Sequence, residues 1–437
     1  MRSRNLLPLS IGLIVFYMFF LTGIQLGRLD VLLSRRAQSR DLLNQEFKLL
    51  RCKYSGGTSC QTTVAGDYSI DRVVAALQDT TTSTEPTATV KTCRADENRD
   101  CTETKKIVFI KTHKTGSTTL ASIIERFGYT RNLSFVVPPN RKFGPHILSS
   151  TQMFQRKMLK NSPPPLNGGK YYDMLTNHVR YNRREMNAVI PNATYLTIIR
   201  HPVKHFESSF AYFVWDRIVT KLEGDIDDPI GAFMENPNKF LKEKFYFWWQ
   251  AHNGQLFDLG IQPSRVDDEA VVDAKIRALN EEMDMVLISD YFDESLLVMK
   301  RQLCWTMDDI LYIPNAIRSQ QFRRYVSKES EEEILDWNKS DFKLYQHFNR
   351  TLWRKIREYG PCFDEDLKIF RERRQQVMEQ CIAKGKFDRK DPRETRYVLK
   401  PKASELCKNL WRGDVTFTKL LRNKQLNGRI LHIPKEQ

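Results

Sequence analysis

The chain has 437 residues, 41% of them hydrophobic, enough to bury a sizeable core and to allow two or three domains. Its eight cysteines can brace loops in so long a chain but cannot stand in for a core, which excludes a small disulfide scaffold. Sixty-nine lysines and arginines against 53 aspartates and glutamates give a formal net charge of +16, which suits a solvated basic surface or an anionic partner: nucleic acid, anionic lipid or a phosphorylated small molecule.

Residues 1–5 precede an uncharged run of 22 residues, 6–27, that is long enough to cross a bilayer as a helix. A cleaved signal peptide is the rival reading, but its apolar core is usually about 7–15 residues and a small-x-small cleavage site should follow. An uncleaved anchor is therefore expected. Charge does not orient it, because Arg28, Arg35, Arg36 and Arg40 outnumber Arg2 and Arg4. The sequons at Asn132, Asn192, Asn338 and Asn349 and all eight cysteines lie beyond the run, which places the bulk of the chain in a lumen, with 1–5 a cytoplasmic tail. Residues 28–104 are thinly apolar, include TTTSTEPTAT at Thr80–Thr89, and read as a stem.

From residue 105 to 437 strand-like runs alternate with helical patterns. Ile107–Ile110, Tyr171–Thr176, Tyr195–Ile199 and Met285–Ile288 are the expected strands. The alternation predicts one α/β domain with a largely parallel sheet covered by helices. Residues from about 386 onward form a basic extension without an assigned role, which Cys407 can tie to the domain.

Between the first strand and a helix carrying Leu120, Ile123, Ile124 and Phe127 lies KTHKTGST, Lys111–Thr118. It departs from the Walker pattern because Lys114 precedes Gly116. Backbone N–H groups at Thr115, Gly116, Ser117 and Thr118 and the helix dipole suit an anion, the Ser117 and Thr118 hydroxyls add donors, and Lys114 adds a point charge. An ordinary strand-to-helix turn is the alternative for this stretch taken alone. In TYLTIIRHPVKHFESSFAYF, Thr194–Phe213, a strand ends at Ile199, Arg200 follows it, and Ser208 lies eight residues later on a helix whose face is Phe206, Phe210, Phe213 and Val214. Ligands of open α/β sheets bind outside such strand ends, so the two stretches can face one ligand.

This pair resembles the two nucleotide-binding motifs of the sulfotransferases, which use 3′-phosphoadenosine 5′-phosphosulfate (PAPS). The resemblance implies a P-loop-like sulfotransferase fold, a 5′-phosphosulfate loop formed by Lys111, Thr112 and Lys114–Thr118, and a 3′-phosphate pair of Arg200 and Ser208. FIKTHKTGS, RHPVKHFESSFAYF, LISDYFDESL, LCWTMDDILY and LYQHFNRTLWRKI are more narrowly similar to the galactose-3-O-sulfotransferases, from about residue 105 to 385. That family often has Asn after the second-motif arginine, where this chain has His201. The resemblance implies sulfate transfer from PAPS to the 3-hydroxyl of terminal β-galactose on a glycolipid or glycoprotein, and a single-pass type II Golgi membrane protein with a lumenal catalytic domain. No nucleic-acid partner is implied, and a homodimer is compatible with it. A glycosaminoglycan acceptor, or a non-enzymatic polyanion-binding role, are the alternatives.

Sulfuryl transfer needs a base for the acceptor hydroxyl and a charge for the leaving phosphate oxygen. Lys114 suits the latter, assisted by Lys111. His178, in TNHVRYN, resembles a histidine implicated as base in related glycan sulfotransferases and is slightly preferred to His113; Arg180 and Asn182 are candidates for acceptor contact. His201 and His205 are expected to be structural or to touch the donor. The aromatic run FYFWWQAHNG, Phe245–Gly254, is expected mostly to pack, with sugar stacking as the alternative. The chemistry requires no metal, and no ligand spacing demands one.

Overall fold

In a computed structural model, which describes residues 101–139, 144, 146–314, 317–319, 322–388 and 394–430, four short buried runs form a wholly parallel sheet. The strands are β1 (Ile107–Ile110), β2 (Met174–Leu175), β3 (Thr194–Ile199) and β4 (Met285–Ile288), in the order β2-β1-β3-β4. Ile107 pairs with Met174 on one side and Thr194 on the other, and Leu196 pairs with Met285. All four β1 side chains are inaccessible to water, as a parallel sheet covered on both faces requires.

The second strand is shorter than the run Tyr171–Thr176 predicts. The Tyr172 N–H donates to the Val189 carbonyl and the Asp173 N–H to the Ser134 carbonyl, so these residues leave the ladder, and Tyr171 is exposed. Helix α1 (Ser117–Thr130) buries Leu120, Ile123, Ile124 and Phe127 as their spacing predicts. Helix α2 (Pro202–Tyr212) buries Phe206 and Phe210 and ends sooner than expected, with Phe213 capping it and Val214 at φ 58°. These phenylalanines join Trp215, Phe233 and Phe240 in a second, aromatic core beside the sheet.

The C-terminal extension is built into the domain. A three-stranded sheet, with β5 (Ile317–Arg318) paired to β7 (Glu394–Leu399) and β7 to β6 (Ile382–Asp388), was not anticipated from the sequence. The last described helix, α3 (Asp414–Ile430), lies against α1: Phe417 and Leu421 are buried, the Phe417 ring is 6.0 Å from Tyr129, and Lys424 donates to the Tyr129 carbonyl. Disulfides join Cys101 to Cys304 and Cys381 to Cys407, the latter fastening the extension as expected. The anchor expected at 6–27 and the stem up to residue 100 lie outside the described residues; among the described residues no helix is long and apolar enough to cross a membrane.

Candidate active site

The C-terminal ends of all four parallel strands open onto one cavity of about 920 Å³. After β1 come His113, Lys114 and Gly116–Thr119; after β2, His178; after β3, Arg200; after β4, Ser289. With the strand order reversing direction on either side of β1, this is where an open α/β sheet leaves a crevice.

The loop after β1 is shaped by two left-handed residues, Lys114 at φ 53° and Gly116 at φ 79°. Such a conformation costs a non-glycine residue about 1–2 kcal/mol, so the loop holds Lys114 in strain beside the cavity. The start of α1, Gly116–Thr119, lines the opening, and no acidic residue stands in its first turn to repel an anion. The Lys114 ammonium lies 3.3 Å from the centre of the Tyr212 ring.

Beneath the loop, residues expected to touch the donor act as supports. Thr112 and Thr115 are fully buried, their hydroxyls 2.8 Å apart, and Thr112 also donates to the Ile198 carbonyl of β3. Ser117 lines the cavity, but its hydroxyl donates to the Thr112 carbonyl at 2.5 Å. Lys111 is 2% exposed and absent from the cavity wall: its ammonium pairs with Asp414 of α3. Contact with a leaving group in the cavity is thus excluded for Lys111 in this arrangement.

Arg200 and Ser208 converge on the cavity as the sequence predicts. The Gln255 side chain accepts from the Arg200 N–H at 2.7 Å and donates to its carbonyl at 2.9 Å, while Arg200 Nη1 donates to the Lys114 carbonyl at 3.2 Å, joining the two motifs. Opposite stands a segment the sequence did not single out. Arg318, Arg323 and Arg324 line this end of the cavity, Arg318 making two charge-assisted bonds to Glu207. Among the described residues, Lys114, Arg200, Lys204 and these three arginines share the cavity lining with two acids, Glu207 and Glu331, so the wall is cationic.

At the other end three imidazoles cluster. The His113 and His178 rings stack at 4.4 Å and 18°, and His146 meets His178 edge-on at 5.9 Å. His146 was not anticipated; the His178 N–H donates to the His146 carbonyl, a backbone pairing no local pattern announces. His178 Nδ1 lies 3.1 Å from the Lys111 carbonyl, which can only accept, so the proton is on Nδ1 and Nε2 carries the lone pair. Burial, then the charge of Lys111, holds His178 well below the ordinary imidazole value of 6.5. The same causes push His146 down to about 4, and its buried Nδ1 has no partner among the described residues. Phe213, Tyr246 and Phe247 wall this end, with the Tyr246 ring 68% exposed.

A family model described as galactose-3-O-sulfotransferase matches residues 64–410. The chain belongs to the galactose-3-O-sulfotransferase family. It is 32% identical to bovine galactosylceramide sulfotransferase over 295 residues, 65% of this chain and 66% of that protein. Mouse galactose-3-O-sulfotransferase 2 is 31% identical over 285 residues, 63% of this chain and 69% of the relative. Mouse galactose-3-O-sulfotransferase 3 is 31% identical over 282 residues, 63% of each. The chain thus spans 66% and 60% of the length of the bovine and mouse galactosylceramide sulfotransferases.

Two expectations for this member of the galactose-3-O-sulfotransferase family are corrected. Arg180 is buried away from the cavity, its guanidinium donating to the carbonyls of Phe257, Thr151 and Ile261, and Asn182 donates to the Phe154 carbonyl, so neither is free to meet an acceptor. Among the sequons, Asn338 is 3% exposed, accepting from the Asn253 N–H at 2.7 Å and donating to the Ile334 carbonyl, which leaves no room for a glycan. Asn132 and Asn192 are exposed in turns and Asn349 is half-buried. His201 and His205 serve structure: His201 packs edge-on to Phe342 and Tyr345, and the buried His205 donates from Nε2 to the His113 carbonyl, with burial pushing its pKa to about 3.

Proposed function

We propose that the protein transfers sulfate from PAPS to the 3-hydroxyl of a terminal β-galactose on a glycolipid or glycoprotein, as a single-pass type II Golgi membrane protein anchored through residues 6–27. The observation that carries this reading is the convergence of an anion loop, Arg200 with Ser208, and a histidine cluster on one cavity. The residues fit the donor. Gly116–Thr118 offers backbone N–H groups to the 5′-phosphosulfate, while Arg200 and the arginines opposite offer charge, and Ser208 a hydroxyl donor, to the 3′-phosphate. The cavity volume suits a nucleotide.

The sugar end supports a galactoside. Tyr246, 68% exposed, stands beside the imidazoles next to the stacked Phe213 and Phe247 rings, and a galactose has an apolar face to lay on it. Relatives are named for galactosylceramide and for galactose 3-O-sulfation. In the reaction the acceptor oxygen bonds to sulfur as the sulfur–oxygen bond to the 5′-phosphate breaks. A histidine takes the hydroxyl proton, and Lys114 balances charge on the departing phosphate oxygen. A positioned base contributes about 10²–10⁴ in rate. Sulfuryl transfer from an activated donor needs no metal.

The test is sulfate transfer from labelled PAPS by the purified protein to galactosylceramide, a terminal β-galactosyl disaccharide and desulfated heparan, side by side. Sulfate mapped to the galactose 3-hydroxyl supports the reading and ranks lipid against glycoprotein acceptors. Transfer to heparan alone overturns the acceptor, and PAPS binding without transfer to any of the three overturns the activity.

A further inference from the structure

The His113 imidazole is held from several sides by groups no sequence pattern links to it. Asp258, at the end of the helix Gly254–Asp258 and 3% exposed, accepts from the His113 backbone N–H and lies against His113 Nδ1, both at 2.8 Å through Oδ2. Its other oxygen accepts from Gln250 Nε2 at 3.0 Å. The His113 carbonyl accepts from His205. The ring stacks on His178 and meets Phe247 edge-on at 5.4 Å.

The proton must sit on Nδ1. A lone pair there would face a carboxylate oxygen at 2.8 Å, two acceptors in repulsion, whereas an N–H makes a charge-assisted bond. Gln250 Nε2 also lies 3.3 Å from Nδ1, but its shorter contact is to Asp258, and the carboxylate decides the tautomer. His113, which lines the cavity, then carries its lone pair on Nε2. His178 has the same tautomer for a different reason: its Nδ1 meets a neutral carbonyl, with the Lys111 cation nearby, and it is a poor proton acceptor. An imidazolium formed at His113 is offset at once by the buried charge of Asp258.

We propose that Asp258 is a positioning residue, fixing His113 with Nδ1 protonated and Nε2 open to the cavity, and thereby making His113 rather than His178 the group that takes the acceptor proton. The catalytic half of this statement rests on the sulfotransferase reading above; the tautomer does not.

Two measurements test it. First, ¹⁵N-imidazole shifts of the intact protein, with the His113 signal assigned by its loss in His113→Ala, should show the Nδ1–H tautomer, and Asp258→Asn should abolish that preference. An Nε2–H tautomer in the unaltered protein overturns the proposal whatever the enzyme's activity. Second, Asp258→Asn should lower kcat about 10²-fold or more, in keeping with what a positioned base supplies. KM for PAPS and binding of 3′-phosphoadenosine 5′-phosphate should stay within about threefold of the unaltered protein, since a positioned base acts on the chemical step rather than on donor binding. Combining it with His113→Ala should cost no more than His113→Ala alone, because the two act as one unit. Multiplying losses would reduce Asp258 to a folding role, and unchanged turnover would overturn the proposal. If Asp258→Asn does not fold, the tautomer of the unaltered protein still decides. A correct tautomer without transfer to any galactoside supports the Asp258–His113 geometry and sinks only the activity reading.

Discussion

Lys111 and Asp414 form an ion pair across 303 residues of sequence, both side chains closed off from water. The pair joins the phosphate-type loop to the last described helix, and the Lys111 carbonyl holds His178 in turn. Asn177, next to His178, donates to Thr418 on the same helix, and Gln425 accepts from the Phe135 N–H while donating to the Pro164 carbonyl. The C-terminal extension is therefore the floor on which the histidine cluster rests.

Breaking this pair from one side should be costly. Asp414→Ala leaves an ammonium buried without its partner, and such changes cost about 3–5 kcal/mol. Replacing both, Lys111→Met with Asp414→Leu, removes both charges and should restore most of the stability. Denaturant unfolding of the parent and the two variants checks this; an Asp414→Ala loss below about 1 kcal/mol would show that the pair contributes little.

Glu125 in α1 makes a pH-dependent prediction. Burial first, and the Asp414 charge second, raise its pKa well above the ordinary 4.5, and its second oxygen has no partner among the described residues. The folded protein therefore keeps a proton there that the unfolded chain releases above pH 4.5. Stability is lost as pH rises from 4.5 toward the folded value. Glu125→Gln cannot ionise and keeps an acceptor for the Thr176 hydroxyl, which donates to Glu125 at 2.7 Å. The variant's stability relative to the parent should grow between pH 5 and pH 8, and parallel pH profiles from denaturant titrations would refute the assignment.

Much of this site was readable from local pattern because strands, turns and helix faces are encoded locally. Ile107–Ile110 and Met285–Ile288 form strands over those bounds, and Arg200 and Ser208 reach the cavity from a strand end and the helix after it. What local pattern does not carry depends on contacts between distant segments. Asp258 is 145 residues from His113, and nothing around it marks it as more than a helix-end acid. The spacing of Lys111 from Lys114 predicts a second donor contact, and only the pairing with the distant Asp414 turns it inward. His146 and the arginines at 318–324 are placed by a backbone pairing and by an ion pair to α2, neither of which leaves a periodic trace.

The four sequons should divide by exposure. Asn132 and Asn192 stand in exposed turns at φ 62° and 57°, whereas Asn338 is enclosed and bonded at both ends. Mass spectrometry of peptides from protein made in a secretory host should find glycans at Asn132 and Asn192 and none at Asn338. Asn338→Ala should destabilise by about 1–3 kcal/mol, because the Asn253 N–H is left buried without an acceptor. A glycan on Asn338 in the folded, active protein would contradict this packing.

Donor affinity should depend on Glu207, which touches no donor in the proposed scheme. Its carboxylate takes both Arg318 Nη groups and the Arg324 N–H, and Arg324 reaches on to Asp216 at 2.6 Å. These bonds hold a cationic segment over Arg200 and Ser208, where the 3′-phosphate is placed. Glu207→Gln removes the carboxylate charge and loses the paired geometry; with charge-assisted bonds contributing about 1.5–3 kcal/mol, binding of 3′-phosphoadenosine 5′-phosphate should weaken roughly 10–100-fold. The turnover number at saturating donor should fall far less than in Lys114→Ala, which removes the charge at the leaving oxygen and should cost about 10²–10³ in kcat. Calorimetry of nucleotide binding beside steady-state rates separates the two. If Glu207→Gln binds the nucleotide as tightly as the parent, the arginine segment is not part of the donor site, and the cationic wall opposite Arg200 serves the acceptor instead.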